Sequence, residues 1–424
     1  MQISFSTGSI HGLSKTGAGR CGIPEGDAYG ITLDAGTFYS RNSLSQYGIK
    51  AFDAATAAER FAALLQDCAG SGVPLHAMRM PHLGWDTKRT DLNDLMLRIG
   101  LEGIGACARA ACSSIIIQPV FAGIPGEKLW EENHRYYAAL GQAAKQAGIC
   151  ILMENQCGYI NGHLIRGACA DATVAAAWID ELNGEFGEEL FGFCLDTGAC
   201  NLCRQDMGET AAALGNRLKA VRVRECDAVR EASRLPYTGR STAGQDADWQ
   251  SLIRGLRRIT FDGILIMDVG DTLKGFSHLL RPHVYSLICA TADYLRWQIS
   301  MERCIKEYPS RVLFGAGNMC RQYMAYYGEQ YPPLYISDNN PQLWGTKVCG
   351  REVRPPEELK DLPEECVVII CNTFYEEIAA QLRTLGVRRI GTFSDECLPG
   401  ANPVIYGQRR TEGQDAQTGY RCTE

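Results

Sequence analysis

Along roughly the first 300 residues the chain keeps a two-beat pattern: a short apolar run, then a longer stretch with helical spacing. The apolar runs are ISFST from Ile3, YGITLDAG from Tyr29, PLHAMRM from Pro74, SSIIIQPV from Ser113, CILMEN from Cys150, GFCLD from Gly192, LKAVRVRE from Leu218 and GILIMDV from Gly263. Runs of this length bounded by turn residues predict strands buried on both faces, which a parallel sheet requires. Amphipathic stretches such as AATAAERFAALLQDCAGSG and EENHRYYAALGQAAKQAG lie between them, the second ending in the glycine that helices favour as a stop. Eight β-then-α units over this length predict an α/β fold, a (β/α)8 barrel, with an open doubly wound sheet as the competing architecture.

The helical pattern RPHVYSLICATADYLRWQISMERCIKEY closes the region, after which a second rhythm begins. RVLF, PPLYIS, VVIIC and RRIGTF alternate with helical spacing in a βαβαβ layout, which predicts a small, separate, parallel α/β module of Rossmann type. The expected organisation is a barrel over 1–300, the module over 308–400 and a poorly ordered polar tail over 401–424.

Three barrel strands end in a carboxylate that faces a loop: Glu154 in GICILMENQCG, Asp196 in FGFCLDTGACNL and Asp268 in FDGILIMDVGD. An acid at the C-terminal tip of a buried strand leaves the apolar layer and faces the rim where α/β barrels build their sites. A single such acid reads equally well as a solvated strand end. Three in succession predict a site.

Composition narrows the classes. With 46% hydrophobic and 21% charged residues the chain is an ordinary globular protein. A net charge of −7 and the lack of a long basic run exclude a general nucleic-acid binder. MQISFSTGSI lacks a basic n-region followed by an apolar stretch, and no apolar run reaches the roughly 18–20 residues of a membrane span, so a cytoplasmic protein is expected. Nineteen scattered cysteines, several inside apolar runs, are expected to be reduced thiols acting as small hydrophobes. The CxxC of Cys200 and Cys203 has no second pair, so it reads as structural, with a redox or metal role as the alternative.

The strands and their ends resemble the xylose isomerase-like superfamily of sugar-phosphate isomerases and epimerases, which also contains endonuclease IV. MEN at Glu154, CLDTG at Asp196, LKAVRVRE leading to Glu225, and GQDADWQSLIRGLRRITFDGILIMD carry the resemblance. It implies that a glutamate, an aspartate, a histidine and a second glutamate hold one divalent metal. Glu154, Asp196 and Asp268 take three of these places, Asp268 as a shorter acid, but Arg222 stands where the histidine is expected and Ala199 where another usually follows. Arginine has no lone pair to offer a metal. Two expectations therefore stand side by side. Either a hard ion such as Mg²⁺ or Mn²⁺, rather than Zn²⁺, sits on the three acids, or Arg222 forms a buried ion-pair network with them and no metal binds.

The reaction the resemblance implies is proton transfer at the carbon next to a carbonyl of a small sugar or polyol. Glu154 and Asp268 would be the acid/base pair, their pKa values lifted by burial. Arg222, His82 and Trp85 in RMPHLGWD, and Arg240 in TGRSTAG are candidate substrate contacts, and His163 a weaker one. His82, Trp85 and Arg240 read equally as ordinary loop residues. Alternation along LKAVRVRE puts Arg222 and Arg224 on one side and Val221 and Val223 on the other. The alternative function is non-catalytic sugar or nucleotide binding on a degenerate barrel site. A DNA-repair nuclease is disfavoured by the acidic charge and the missing histidines. Homo-oligomer formation is left open.

In the second module FGAGNMCRQYM puts Gly315 and Gly317 between a strand and a helix, where backbone N–H groups near Asn318 and Met319 could receive a phosphate. Cys320 replaces the third glycine of the dinucleotide fingerprint, and Asp338 in YISDNN stands where an acid meets a ribose. Nucleotide binding and a purely structural module are both consistent with this pattern.

Overall fold

The structure, a computed structural model, describes residues 1–9, 24, 26, 28–37, 59, 61–63, 65–66, 72–82, 84–86, 88–121, 126–226, 229–239 and 247–399. Arg240 and the polar tail lie outside the described residues. The chain divides into two compact units, Met1–Arg296 and Trp297–Glu424.

In the first unit eight strands follow one another: β1 (Gln2–Ser6), β2 (Tyr29–Asp34), β3 (Leu75–Arg79), β4 (Ser114–Ile116), β5 (Cys150–Glu154), β6 (Phe191–Asp196), β7 (Leu218–Val223) and β8 (Ile264–Met267). Each pairs in parallel with its neighbours in sequence, and β8 pairs with β1, so the sheet closes into a barrel. All eight coincide with the apolar runs, and closure rules out the open sheet.

The barrel interior explains where polar side chains gather. Ala77, Ile116, Leu152, Cys194, Ala220, Ile264 and Ile266 pack into one apolar plug. Side chains alternate along a strand, so residues two positions further on share the face of the plug residue. Those residues are Arg79, Gln118, Glu154, Asp196, Arg222 and Asp268. The intervening residues face the helices: Phe191 on β6 meets Tyr137 and Phe186 at ring distances of 6.1 and 5.6 Å. One strand pattern thus specifies a greasy plug and, a layer above it, a polar ring.

Between the barrel strands, helices are stopped and started by local chemistry. The helix Ala172–Phe186 begins at Asp171, whose carboxylate accepts from the N–H groups of Thr173 and Val174, and ends at Gly187 with φ of 70°. After β5 a hairpin, Cys157–Ile160 with His163–Arg166, turns at Asn161 and Gly162, whose φ values of 52° and 80° fit a two-residue type I′ turn. Among the described residues no helix is long and apolar enough to cross a membrane.

The second unit carries a six-stranded sheet. Its strands are β9 (Ser310–Phe314), β10 (Ile336–Ser337), β11 (Lys347–Val348), β12 (Arg351–Arg354), β13 (Cys366–Ile370) and β14 (Ile390–Thr392), in the order β11-β12-β10-β9-β13-β14. The ladders are parallel except for β11 with β12, which form an antiparallel hairpin at the edge. The sheet is therefore mixed, where the sequence pattern predicts parallel strands alone. Apolar clusters cover both faces: Leu313, Ile336, Val353 and Ile369 belong to one, Val312, Phe314, Val368 and Ile370 to the other.

Candidate active site at the barrel mouth

Glu154 ends β5 and is wholly buried. Arg79, at the end of β3, forks onto it: Nη2 donates to Oε2 at 2.7 Å and Nε to Oε1 at 3.1 Å. Gln118 also donates to Oε2. Arg79 in turn lies 3.5 Å from Asp34, which ends β2 and whose carboxylate accepts from the Gly36 N–H at 2.9 Å.

Asp196 ends β6 and starts the short helix Thr197–Leu202. Its Oδ1 accepts from the N–H groups of Gly198 at 2.9 Å and Ala199 at 3.1 Å, and from Arg224 Nε at 2.7 Å. Its Oδ2 accepts from Arg222 Nη1 at 2.6 Å. Asp268, one residue past β8, accepts from Arg222 Nη2 through Oδ2 and from Ser9 Oγ at 2.9 Å through Oδ1. Arg222 Nη1 is also 3.7 Å from Glu154. One guanidinium therefore reaches all three strand-end acids. The alternation expected along β7 holds: Arg222 and Arg224 turn into the mouth.

The charges settle one another. Burial pushes Asp196 and Asp268 up, yet both end below the ordinary carboxylate range, because Arg224 and Arg222 stand beside Asp196, and Arg222, then Arg224, beside Asp268. For Asp268 this reverses the expectation that burial lifts its pKa: the arginines outweigh the desolvation. Burial works against the charge on Arg222 too, and Asp268, Asp196 and Glu154 override it and hold the guanidinium protonated. Arg79 follows the same logic, opposed by burial and by Arg222 and held by Glu154 and Asp34.

The donor set does not suit a divalent metal. Asp196 already takes four hydrogen bonds, Glu154 is forked by Arg79 and capped by Gln118, and the centre of the three acids is filled by an acceptor-free cation. Ala199, where a histidine is usual, contributes only its backbone N–H to Asp196.

The other candidates are scattered. His82 lies half-buried in the loop after β3. Trp85 stands edge-on to Tyr136 of the helix Gly126–Ala147, ring centroids 5.5 Å apart, so its ring is engaged by the helix layer. His163 opens the exposed second strand of the hairpin. Cys200 and Cys203 are buried free thiols with different neighbours, Thr210 Oγ1 at 3.7 Å and the Gln156 carbonyl at 3.9 Å. Burial pushes Cys200 up to about 12, which keeps it an unreactive thiol. Asp34, Arg79, Gln118 and Ser9 were not among the residues named from sequence, although Asp34 and Arg79 also end strand-like runs.

In the second unit the glycine-rich turn is asymmetric. Gly315 has φ of 102°, and a Cβ there would come 3.0 Å from the Cys371 carbonyl oxygen. Gly317, with φ of −84° and open space around it, does not require a glycine. The helix Asn318–Tyr327 begins there without a side-chain cap. Asp338 reaches the same turn: Oδ2 accepts from the Ala316 N–H at 2.7 Å and Oδ1 from the Asn340 N–H at 2.8 Å.

Comparison with known proteins places the barrel. The chain belongs to the xylose isomerase-like TIM barrel family, whose model matches residues 34–281. Solved structures similar to it include a D-tagatose 3-epimerase-like protein (11% identity, 69% of this chain and 99% of that one, TM-score 0.48). A D-psicose 3-epimerase with D-tagatose from Clostridium cellulolyticum H10 (13%, 70% and 99%, 0.47) and a 3-keto-D-glucoside 4-epimerase from E. coli (14%, 70% and 99%, 0.45) are others. No curated protein matches the chain.

Proposed function

We propose that the barrel mouth binds a small sugar or polyol, free or phosphorylated, and moves a proton at the carbon beside its carbonyl, as an isomerase or epimerase does. The observation that carries this reading is the convergence of Glu154, Asp196 and Asp268 on Arg222 above the apolar plug of a barrel of this family. Asp268 is the proposed proton acceptor: Arg222 keeps it ionised, and so able to accept, while lowering its strength as a base. Glu154, on β5, is its partner from the other side of the mouth. Arg222 lies between them, where its remaining N–H donors would stabilise negative charge developing on the carbonyl oxygen. Asp196 orients Arg222, and His82, Trp85 and Arg240 are proposed ligand contacts.

A panel of aldoses, ketoses and their phosphates, with products separated by chromatography, tests the reading. Glu154→Gln and Asp268→Asn should each lower turnover by about 10²–10⁴-fold, the usual worth of a general acid or base. If no sugar is converted while one binds, the second reading takes over: a sugar-binding barrel without catalysis. That reading is favoured by the same ion pairs, since each acid already has a guanidinium to answer it.

For the second unit we propose a nucleotide whose phosphate lies over the amides near Asn318 and Met319, with Gly315 and Gly317 lining the turn and Asp338 at the ribose. The uncapped helix start supports it. A thermal-shift screen of the full chain with NAD, NADP, ATP and nucleotide sugars tests it; no shift with any of them overturns it.

A further inference from the structure

We propose that Arg222 is a built-in cation that makes the barrel mouth independent of a divalent metal. The inference stands whether or not the barrel is a catalyst, because it rests on charge and donor capacity alone.

A metal held by Glu154, Asp196 and Asp268 would need one free lone pair from each, aimed at a common centre. That centre is taken. Arg222 sends Nη1 to Asp196 at 2.6 Å, Nη2 to Asp268, and stands 3.7 Å from Glu154. Arg79 and Arg224 close the outer sides of Glu154 and Asp196. Four acids, Asp34, Glu154, Asp196 and Asp268, thus face three guanidinium groups, and the cluster is within one charge of neutral without any ion. A divalent ion would have to displace a protonated arginine that burial among carboxylates holds in place, and would then face its charge at close range.

The replacement is geometric as well as electrostatic. Arg222 sits on β7 in register with Asp196 on one side and Ile266, two residues before Asp268, on the other. From there its side chain bridges Asp196 and Asp268. Replacing Arg222 frees Asp196 Oδ2 and Asp268 Oδ2, so a ligating residue at position 222 would complete a metal-binding set with those two acids.

Manganese binding decides the matter, followed by the loss of the free Mn²⁺ EPR signal in chelator-treated, dialysed full-length protein. A His134→Ala background is used, because His134, Glu181 and Glu185 place donor atoms within 4.8 Å of one another on the outer helices and are a separate candidate. The expected result is no stoichiometric Mn²⁺ uptake and no change in Tm with Mn²⁺ or Mg²⁺. Adding Arg222→His should create one Mn²⁺ site per chain and a Tm that rises with Mn²⁺. Stoichiometric binding with Arg222 in place overturns the proposal, as does a folded Arg222→His variant that gains no affinity. If that variant does not fold, the titration with Arg222 intact decides alone.

Discussion

Arg79 on β3 closes a two-pronged ion pair on Glu154 of β5, Nη2 to Oε2 at 2.7 Å and Nε to Oε1 at 3.1 Å, reaching past β4 to do so. Glu154 is wholly buried, so this fork is the shortest ion pair that answers its carboxylate there. Removing it by Arg79→Met should cost about 3–5 kcal/mol, the penalty for leaving a buried charge unanswered. Arg79→Lys should recover part of the loss, since a lysine keeps the charge but cannot fork. Urea denaturation of the three proteins measures both steps; equal midpoints would show that Glu154 does not depend on Arg79.

Acid should loosen the barrel through Asp196 and Asp268. A carboxyl whose folded value lies below its unfolded one binds fewer protons when folded, so its contribution is full above the unfolded value of about 3.9 and is lost as pH falls through the lower folded value. Tm should therefore hold from neutral pH to about 4 and drop below it. Asp196→Asn should lower the plateau and flatten the acid limb. A variant limb as steep as that of the parent would remove Asp196 from this role.

How far these features can be read from the chain depends on distance along it. Every barrel strand is visible because each is a continuous apolar run, and the strand-end rule finds Glu154, Asp196 and Asp268 directly. The same rule applied to ITLD and HAMR points at Asp34 and Arg79. An arginine at a strand end reads as solvated, however, and only the parallel register shows that it meets a glutamate 75 positions away. Arg222 is visible as a departure from the resemblance, but its three partners depend on side-chain reach. The hairpin β11–β12 is missed because KV and REVR are short and polar. Its turn, Cys349–Gly350, has positive φ at both residues and only one glycine to announce it.

The two glycines of the second unit should part company on substitution. Gly315→Ala forces an L side chain to φ near 102° and toward the Cys371 carbonyl, at a cost of about 1–3 kcal/mol. Gly317→Ala sits at ordinary φ in open space and should change stability by less than about 1 kcal/mol, because the lost freedom of the unfolded chain and the poorer N-cap oppose one another. Thermal unfolding of the full chain compares them. Equal effects would mean that the turn is not held as described.

The buried CxxC should be dispensable for chemistry. Cys200 and Cys203 bond to different neighbours, and burial pushes Cys200 up to about 12 and Cys203 up as well. Replacing both with Ala is expected to leave sugar turnover unchanged while removing packing, with a stability loss of about 1–3 kcal/mol. A turnover loss greater than about tenfold with the fold intact would assign the pair a role at the mouth.

The most direct test of the proposed chemistry is hydrogen exchange at carbon. Chelator-treated protein is incubated in D₂O with each sugar of the panel, and the proton beside the carbonyl is followed by NMR. The account predicts that at least one sugar loses that signal with the parent protein, without added metal, and keeps it with Asp268→Asn. A sugar that binds but never exchanges, or one that exchanges only when Mn²⁺ is supplied, would contradict it.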